Sequence, residues 1–106
     1  MYVKTASTLF RLLGDEARLR LLRLLSQERL NVSELTAVLG IAQSGVSRHL
    51  GLLRDAGLVS EEREGGFTFF RATPDEQDAR LGPIWSLLQT RFDAAGADAV
   101  VREDQA

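Results

Sequence analysis

Two short apolar patterns of helical spacing, separated by only three residues, constrain the fold of this 106-residue chain more than any other feature. The first pattern begins at Ser33, a residue type that caps helix N-termini, and it ends at Gly40. Residues 40–42 form a turn, and the second pattern occupies residues 43–56. The inward residues are Leu35, Val38 and Leu39 in the first pattern and Val46, Leu50 and Leu53 in the second. Two short helices joined by such a turn predict a helix-turn-helix.

Two more helices are predicted before this pair. The first has apolar residues at i, i+3, i+4 and i+7, and Gly14 ends it. Its apolar face consists of Ala6, Leu9, Phe10 and Leu13. Asp15 then caps a second helix, residues 16–26, whose leucines lie nearly all round, as in a central buried helix. Residues 30–32 are predicted to form a short extended link.

Short extended runs follow the helix-turn-helix. Residues 58–63 and 67–72 flank the tripeptide Glu64-Gly65-Gly66. The aromatic residues of the second run, together with the Gly-Gly turn before it, predict a β-hairpin. The predicted fold class is therefore mainly α with a small β-hairpin, a winged helix-turn-helix in the order α-α-α-α-β-β-α.

A last helix is predicted after the hairpin. Residues 73–76 combine a capping-box pattern with proline at the first helical position. The apolar stripe of this helix is Leu81, Ile84, Trp85, Leu88 and Phe92. The Gly-Pro pair at 82–83 conflicts with an unbroken helix, so the helix either kinks there or restarts at the proline. Residues 1–95 are predicted to form one DNA-binding and dimerisation domain, and residues 96–106 a C-terminal tail or linker.

The second helix of a helix-turn-helix enters the major groove of DNA. The polar side chains of residues 43–56 suit this role, because Gln and Arg make bidentate contacts with base edges and Ser contacts phosphates. Arginines beside the hairpin tip are expected to meet the DNA backbone or the minor groove. The predicted DNA-contacting residues are Gln43, Ser44, Ser47, Arg48, Arg54, Arg63 and Arg71. His49 is either a further DNA contact or a structural residue beside the turn.

Composition excludes several classes of protein. The chain contains no cysteine, which excludes disulfides, thiolate redox switches and cysteine metal sites. Because no catalytic constellation or phosphate-binding glycine-rich loop is present, we expect neither an enzyme nor a cofactor. No apolar run is long enough for a membrane span or a signal peptide, so we expect a cytoplasmic protein without a membrane partner. The net charge is −2, yet residues 1–73 carry ten Lys or Arg and eight Asp or Glu, a balance that permits DNA binding.

Four segments of the chain together resemble the ArsR/SmtB family of bacterial repressors. They are LFRLLGDEARLRLLRLL, VSELTAVLG, QSGVSRHLGLLRDAGLV and EREGGFTFFRA, and the resemblance covers residues 6–95. It implies a homodimer that binds a palindromic operator in double-stranded DNA and releases it when a small-molecule or protein effector, not identified by the sequence, binds. The implied DNA contacts are Gln43, Ser44, Ser47, Arg48 and His49. The implied dimer interface, on the first and last helices, comprises Leu9, Phe10, Leu13, Ile84, Trp85, Leu88 and Phe92.

The chain departs from the metal-sensing members that it resembles. Those members carry a Cys-x-Cys pair in the third helix, where this chain has Asn31 and Ser33. Others use His and Asp in the last helix, which here contains no histidine, so we expect no metal site. Ala42 stands where the recognition helix usually has a serine N-cap, and the hairpin tip is acidic. Both features predict a modest affinity for DNA.

Two alternatives remain open. The ending AAGADAVVREDQA resembles a linker, and some members of the family continue into a methyltransferase that uses S-adenosylmethionine. The chain is then the N-terminal regulatory or dimerisation module of such an enzyme. The acidic net charge and the weak wing instead favour a winged helix that is used only for protein–protein contacts.

Overall fold

The computed structural model describes residues 3–73 and 81–105, with side chains for residues 3–73 and 81–93. Its elements are α1 (Val3–Leu13), α2 (Glu16–Gln27), β1 (Leu30–Asn31), α3 (Val32–Leu39), α4 (Gln43–Asp55), β2 (Ser60–Glu64), β3 (Phe67–Arg71) and α5 (Leu81–Gln105). This order confirms a mainly helical winged helix-turn-helix, with α3 and α4 as the paired helices and β2 and β3 as the wing. Across the described ranges, no helix is both long and apolar enough to cross a lipid bilayer.

α2 forms the centre of the hydrophobic core. Its Leu21, Leu22 and Leu25 have no solvent exposure, as the leucine pattern of this helix predicts. The other buried apolar residues are Leu9, Leu13, Leu30, Leu35, Leu39, Val46, Leu50, Leu53, Leu58, Val59, Phe70, Ala72 and Leu81. Because they come from both ends of the described chain, the core fixes the paired helices and the base of the wing against one another.

The hairpin belongs to a three-stranded antiparallel sheet in the order β1-β3-β2. In β1, Leu30 lies opposite Phe70 of β3. Gly65 and Gly66 join β2 to β3 with φ angles of 59° and 82°, as a two-residue type I′ turn requires. The link predicted at residues 30–32 is thus partly a strand, which the sequence does not show because two residues are too few for an alternating pattern.

Side-chain caps begin two of the helices. Asp15 caps α2 as predicted, since its Oδ1 accepts a hydrogen bond from the Arg18 backbone N–H at 3.0 Å. The prediction that Ser33 caps α3 is wrong. Asn31 is the N-cap, because its Oδ1 accepts from the Glu34 N–H at 2.8 Å while Glu34 Oε1 accepts from the Asn31 N–H at 3.0 Å. This reciprocal capping box satisfies two backbone donors and starts the helix earlier than predicted.

The buried face of α3 is narrower than its apolar pattern. Leu35 and Leu39 are buried as predicted, whereas Val38 is 57 % exposed and its predicted inward position is wrong. The two leucines are four residues apart and form one stripe, and Val38 is rotated from Leu39 by about 100° around the helix. In a helix of eight residues, this single stripe is what packs on the core.

α5 is described from Leu81 to Gln105, and the Gly-Pro pair at 82–83 lies within this continuous helical range. Residues 74–80, which include most of the predicted capping box, lie outside the described residues. The helix continues to Gln105, past residue 95, where the sequence places a tail. The division of the chain at that point stays a prediction.

Candidate nucleic-acid interface

One face of α4 is buried. Val46 and Leu53 have no solvent exposure and Leu50 is 1 % exposed, which confirms the predicted inward set. These residues recur every three or four positions, so they form a single stripe that packs against α2 and α3. The burial of this stripe determines which side chains of α4 face outward.

The outward face of α4 carries the polar side chains predicted to read DNA. Gln43, Ser44, Ser47 and Arg48 are all exposed, within one and a half turns of the helix. Their amide, hydroxyl and guanidinium groups provide the donors and acceptors needed to bond base edges and phosphates. The structure therefore brings these four residues together on one surface, and their contact with DNA stays a prediction.

The N-terminus of α4 has no side-chain cap. Ala42 occupies the N-cap with φ −61° and ψ 144° and forms no side-chain hydrogen bond. The first N–H groups of a helix lack intrahelical acceptors, and the helix dipole makes this end partly positive. A phosphate oxygen of DNA is a suitable acceptor at this position.

His49 lies on the buried side of α4, which corrects the expectation that it faces DNA. Its side chain is 7 % exposed. It follows Val46 by three residues and precedes Leu53 by four, so it belongs to the inward stripe. Its Nδ1 lies 3.5 Å from Nη1 of Arg18 on α2. The structure thus supports the alternative that His49 is a structural residue.

Burial lowers the pKa of His49 below its ordinary value of 6.5. The carboxylate of Asp15 opposes this effect, while the positive charges of Arg48 and Arg18 add to it. The imidazole is therefore neutral at physiological pH. A neutral, buried imidazole does not supply a positive charge to a phosphate.

We expect acid to weaken the fold through this residue. A pKa that is lower in the folded state means that the unfolded chain binds more protons as the pH falls below 6.5. The free energy of unfolding should therefore fall as the pH drops from about 6.5 towards the lower pKa of the folded state, by up to roughly 1.4 kcal/mol per unit of pKa difference. Urea unfolding at several pH values measures this slope.

His49→Gln is the control for the pH dependence, because His49 is the single histidine of the chain. The variant should lack the part of the slope that begins as the pH falls below 6.5. The pKa of Asp15 is lowered from its ordinary 3.8, chiefly by the hydrogen bond from the Arg18 backbone N–H, so the contribution of Asp15 is lost only at lower pH. An equal slope in both proteins would show that His49 is not the group responsible.

Arg18 links three helices, a role that the sequence does not reveal. Its Nε donates a hydrogen bond to the Leu12 carbonyl of α1 at 2.6 Å, and its guanidinium also contacts His49 of α4. Its side chain is 13 % exposed and lies 3.9 Å from the Asp15 carboxylate. The three-residue spacing of Asp15 and Arg18 is visible in the local sequence. The contact of Arg18 with His49 joins residues 31 positions apart, so no local sequence pattern indicates it.

Arg54 connects α4 to the wing. Its Nη1 donates to Glu61 Oε1 of β2 at 2.5 Å, and its Nε donates to Asp55 Oδ1 at 3.4 Å. The hydrogen bond to Glu61 also raises the pKa of the Arg54 guanidinium. Arg54 is thus an intramolecular ion-pair partner in this structure, and DNA would have to compete with two carboxylates to bind it.

Arg29 forms ion pairs with two glutamates of β2, the acidic strand of the wing. Its guanidinium donates to Glu62 at 3.3 Å and to Glu64, and it stacks over the ring of Phe69 with 4.5 Å to the ring centroid. Sequence reasoning missed this residue because its partners lie 33 and 35 positions away. The contact neutralises part of the negative charge that the wing would otherwise present to DNA.

The two hairpin arginines differ in their surroundings. Arg71 Nε lies 3.8 Å from Glu62 Oε1, so its charge is shared with the wing. Arg63 is exposed and forms no ion pair with any residue that the structure describes. Of the wing arginines predicted to contact DNA, Arg63 is the better placed.

The residues predicted for a dimer interface are not equally available. Leu9 and Leu13 are 7 % and 8 % exposed and belong to the core of their own chain. Phe10, between them on α1, is 62 % exposed. The predicted residues of α5 are half-buried against the core, namely Ile84, Trp85, Leu88 and Phe92. Phe10 therefore has the most apolar surface left for a second subunit, and the interface stays a prediction.

Comparison with known proteins adds a family to this geometry. The model of the family described as "Bacterial regulatory protein, arsR family" matches residues 15–61. Over 74 residues the chain is 36 % identical to the arsenic resistance transcriptional regulator ArsR1 of Pseudomonas putida, covering 69 % of this chain and 58 % of that one. Over 67 residues it is 40 % identical to the arsenical resistance operon repressor of Escherichia coli, covering 62 % and 57 %. The chain thus spans less than two thirds of these two relatives.

A third relative is covered more completely. The chain is 41 % identical over 80 residues to the biofilm growth-associated repressor of Agrobacterium fabrum, covering 76 % of this chain and 68 % of the relative. Two solved structures share the fold. Reduced HlyU from Vibrio cholerae has a TM-score of 0.65 at 30 % identity, covering 82 % of this chain and 87 % of that one. The homodimeric winged helix-turn-helix DNA-binding domain Mb0332 from Mycobacterium bovis has a TM-score of 0.66 at 28 % identity, covering 86 % and 81 %.

Proposed function

This chain is a transcriptional regulator of the bacterial ArsR family, and from that premise we propose that it is a repressor that reads a palindromic operator with the outward face of α4. One observation carries the proposal. The polar side chains of Gln43, Ser47 and Arg48 are exposed on a helix whose apolar stripe is almost completely buried. A helix that is anchored on one side and polar on the other can enter the major groove without losing its packing.

We further propose that two copies bind the operator together. The exposed Phe10 and the half-buried aromatic residues of α5 leave apolar surface that a second copy could cover. Mb0332, which shares this fold, is described as homodimeric. A two-fold dimer would place two copies of α4 on successive major grooves, which explains why such regulators read palindromes.

We propose that these 106 residues do not sense metal ions through thiolates. Two relatives are named for arsenic resistance. The 106 residues of this chain contain no cysteine, the ligand that soft metal ions prefer, and their one histidine is buried. Within the described part of the chain, no three His, Asp or Glu side chains are close enough together to hold a metal ion.

Two alternative functions are a module of a methyltransferase and a winged helix that binds only proteins. The comparisons give no support to a module of a methyltransferase. A winged helix used only for protein contacts is favoured by the three glutamates of β2, but Arg29 and Arg54 already pair with them. The wing is therefore less negative than its sequence suggests, which weakens the reason for this alternative.

Titration of fluorescent DNA tests the proposed function. We expect the protein to bind a palindrome from upstream of its own gene at least about 1000-fold more tightly than a scrambled duplex of the same composition. Two chains should bind each duplex, and the affinity should fall steeply with salt because phosphate contacts release counterions. Equal affinity for both duplexes would contradict specific readout, and a dimer without DNA affinity at low salt would favour protein–protein contacts.

A further inference from the structure

A groove lies between α1 and the C-terminal half of α4. Its volume is about 590 Å³, within the range of about 300–1,000 Å³ that is usual for small-molecule sites. Its apolar lining comes from Leu9 and Leu12 of α1 and from Leu52 and Ala56 of α4. Leu52 is 40 % exposed, so part of this apolar surface faces solvent.

Positive charges border the apolar surface of the groove. Lys4, Arg11 and Arg18 line it, and Asp55 is the single acidic residue among its described lining residues. Asp55 accepts a hydrogen bond from Arg54 at 3.4 Å, so its charge is partly neutralised from outside the groove. The groove therefore combines an apolar surface with a net positive charge.

We propose that this groove binds an amphipathic organic anion, such as an aliphatic carboxylate. The apolar body of the ligand would lie on the leucines, and its carboxylate would pair with Lys4 and Arg11, which are exposed at the rim. Arg18 is less available, because its Nε is bonded to the Leu12 carbonyl. A cationic ligand of the same shape would meet like charges and bind more weakly.

The proposed site and the proposed dimer use different sides of α1. Thr8 lines the groove, and Phe10 follows it by two residues, which is a rotation of about 200° around the helix. A second copy that covers Phe10 therefore leaves the groove open on the opposite side of α1.

The groove also contacts the helix proposed to read DNA. Leu52, Asp55 and Ala56 are on α4 or at its C-terminal end, so a ligand in the groove touches that helix directly. We expect occupancy to change the affinity for the operator, an effect that rests on the proposed function. Binding of the ligand to the groove does not depend on the proposed function.

Calorimetric titration with dodecanoate, below its micelle-forming concentration, tests the site on the 106-residue chain. We expect saturable binding of one dodecanoate per chain and at least about tenfold weaker binding of dodecyltrimethylammonium. The double variant Lys4→Glu/Arg11→Glu should also bind dodecanoate at least about tenfold more weakly, whereas Arg20→Glu, at an exposed position of α2 outside the groove, should not. Absence of saturable binding, or equal losses in both variants, would overturn the proposal.

A substitution that fills the groove distinguishes binding in the groove from general attraction to the positively charged surface. Thr8 and Thr90 are both exposed helical threonines, and each Oγ1 donates to the carbonyl four residues earlier at 3.0 Å. Thr8→Trp should fill the groove and abolish dodecanoate binding, while Thr90→Trp should leave it intact. Unchanged dodecanoate binding by Thr8→Trp would overturn the site even if the protein binds no DNA.

The same two variants test regulation through the groove. Saturating dodecanoate should change the affinity for the operator at least about fivefold in Thr90→Trp but not in Thr8→Trp. An equal change in both variants would overturn regulation through the groove.

Discussion

Leu50→Ala is expected to lower the free energy of unfolding by about 3 kcal/mol, within the range of roughly 2–5 kcal/mol for buried leucines. Leu50 is 1 % exposed and shares its stripe with Val46 and Leu53, which have no exposure. The substitution removes apolar contacts and leaves a cavity that α2 and α3 cannot fill without losing their own packing. For a domain of this size the melting temperature should fall by roughly 12–24 °C, which calorimetry or circular dichroism would measure.

Leu52→Ala is the matched control for this prediction. It makes the same chemical change two residues away on the same helix, at a side chain that is 40 % exposed. Leu52 buries less apolar surface than Leu50, and water can fill the space that its side chain leaves. The free energy of unfolding should therefore fall by less than about 1 kcal/mol. Equal losses in the two variants would contradict the orientation of α4, and with it the assignment of the exposed face.

Periodicity predicts the helices of this fold because each helix packs with one stripe of apolar residues. Leu50 and Leu53 of α4 are examples, since local spacing alone identifies them as buried. The same rule places His49 on the inward side, but its residue type suggested a DNA contact. Position on the stripe is the stronger signal here, because a side chain that is neutral and hydrogen-bonded can be buried at little cost.

The contacts that shape the wing could not be predicted from spacing. Arg29 reaches Glu62 and Glu64 only because β1 adds a strand beside β3, which places the end of α2 next to the hairpin. Tertiary pairing of this kind leaves no local pattern. As a result, the sequence suggested an acidic wing, whereas in the structure much of that charge is paired within the protein.

This pairing concentrates the expected DNA specificity in α4. Arg54 and Arg71, two of the arginines predicted to contact DNA, already have carboxylate partners. Arg63 is the wing arginine that has no carboxylate partner among the described residues. Arg48 is exposed on the outward face of α4 and has no ion-pair partner among those residues. Substitution at Arg48 should therefore affect sequence-specific binding more than substitution in the wing.

Arg48→Ala is expected to weaken operator binding by about 1–3 kcal/mol, which is roughly five- to 150-fold, because a bidentate contact with a guanine edge is lost. Binding to a scrambled duplex should change much less, since it depends on phosphate contacts. Arg20→Ala, at another exposed arginine but on α2, is the matched control for loss of positive charge. Anisotropy titrations of all three proteins against both duplexes, at one salt concentration, provide the comparison.

Arg48→Lys distinguishes base readout from simple attraction to phosphates. Lysine keeps the charge but cannot reproduce the planar, two-pronged geometry of the guanidinium. If Arg48 reads a base, Arg48→Lys should bind the scrambled duplex as tightly as the original protein does, while its preference for the operator stays reduced. If the lysine variant instead recovers the full preference, or if Arg20→Ala weakens operator binding as much as Arg48→Ala does, the role of Arg48 is electrostatic and the sequence must be read elsewhere on α4, at Gln43 or Ser47.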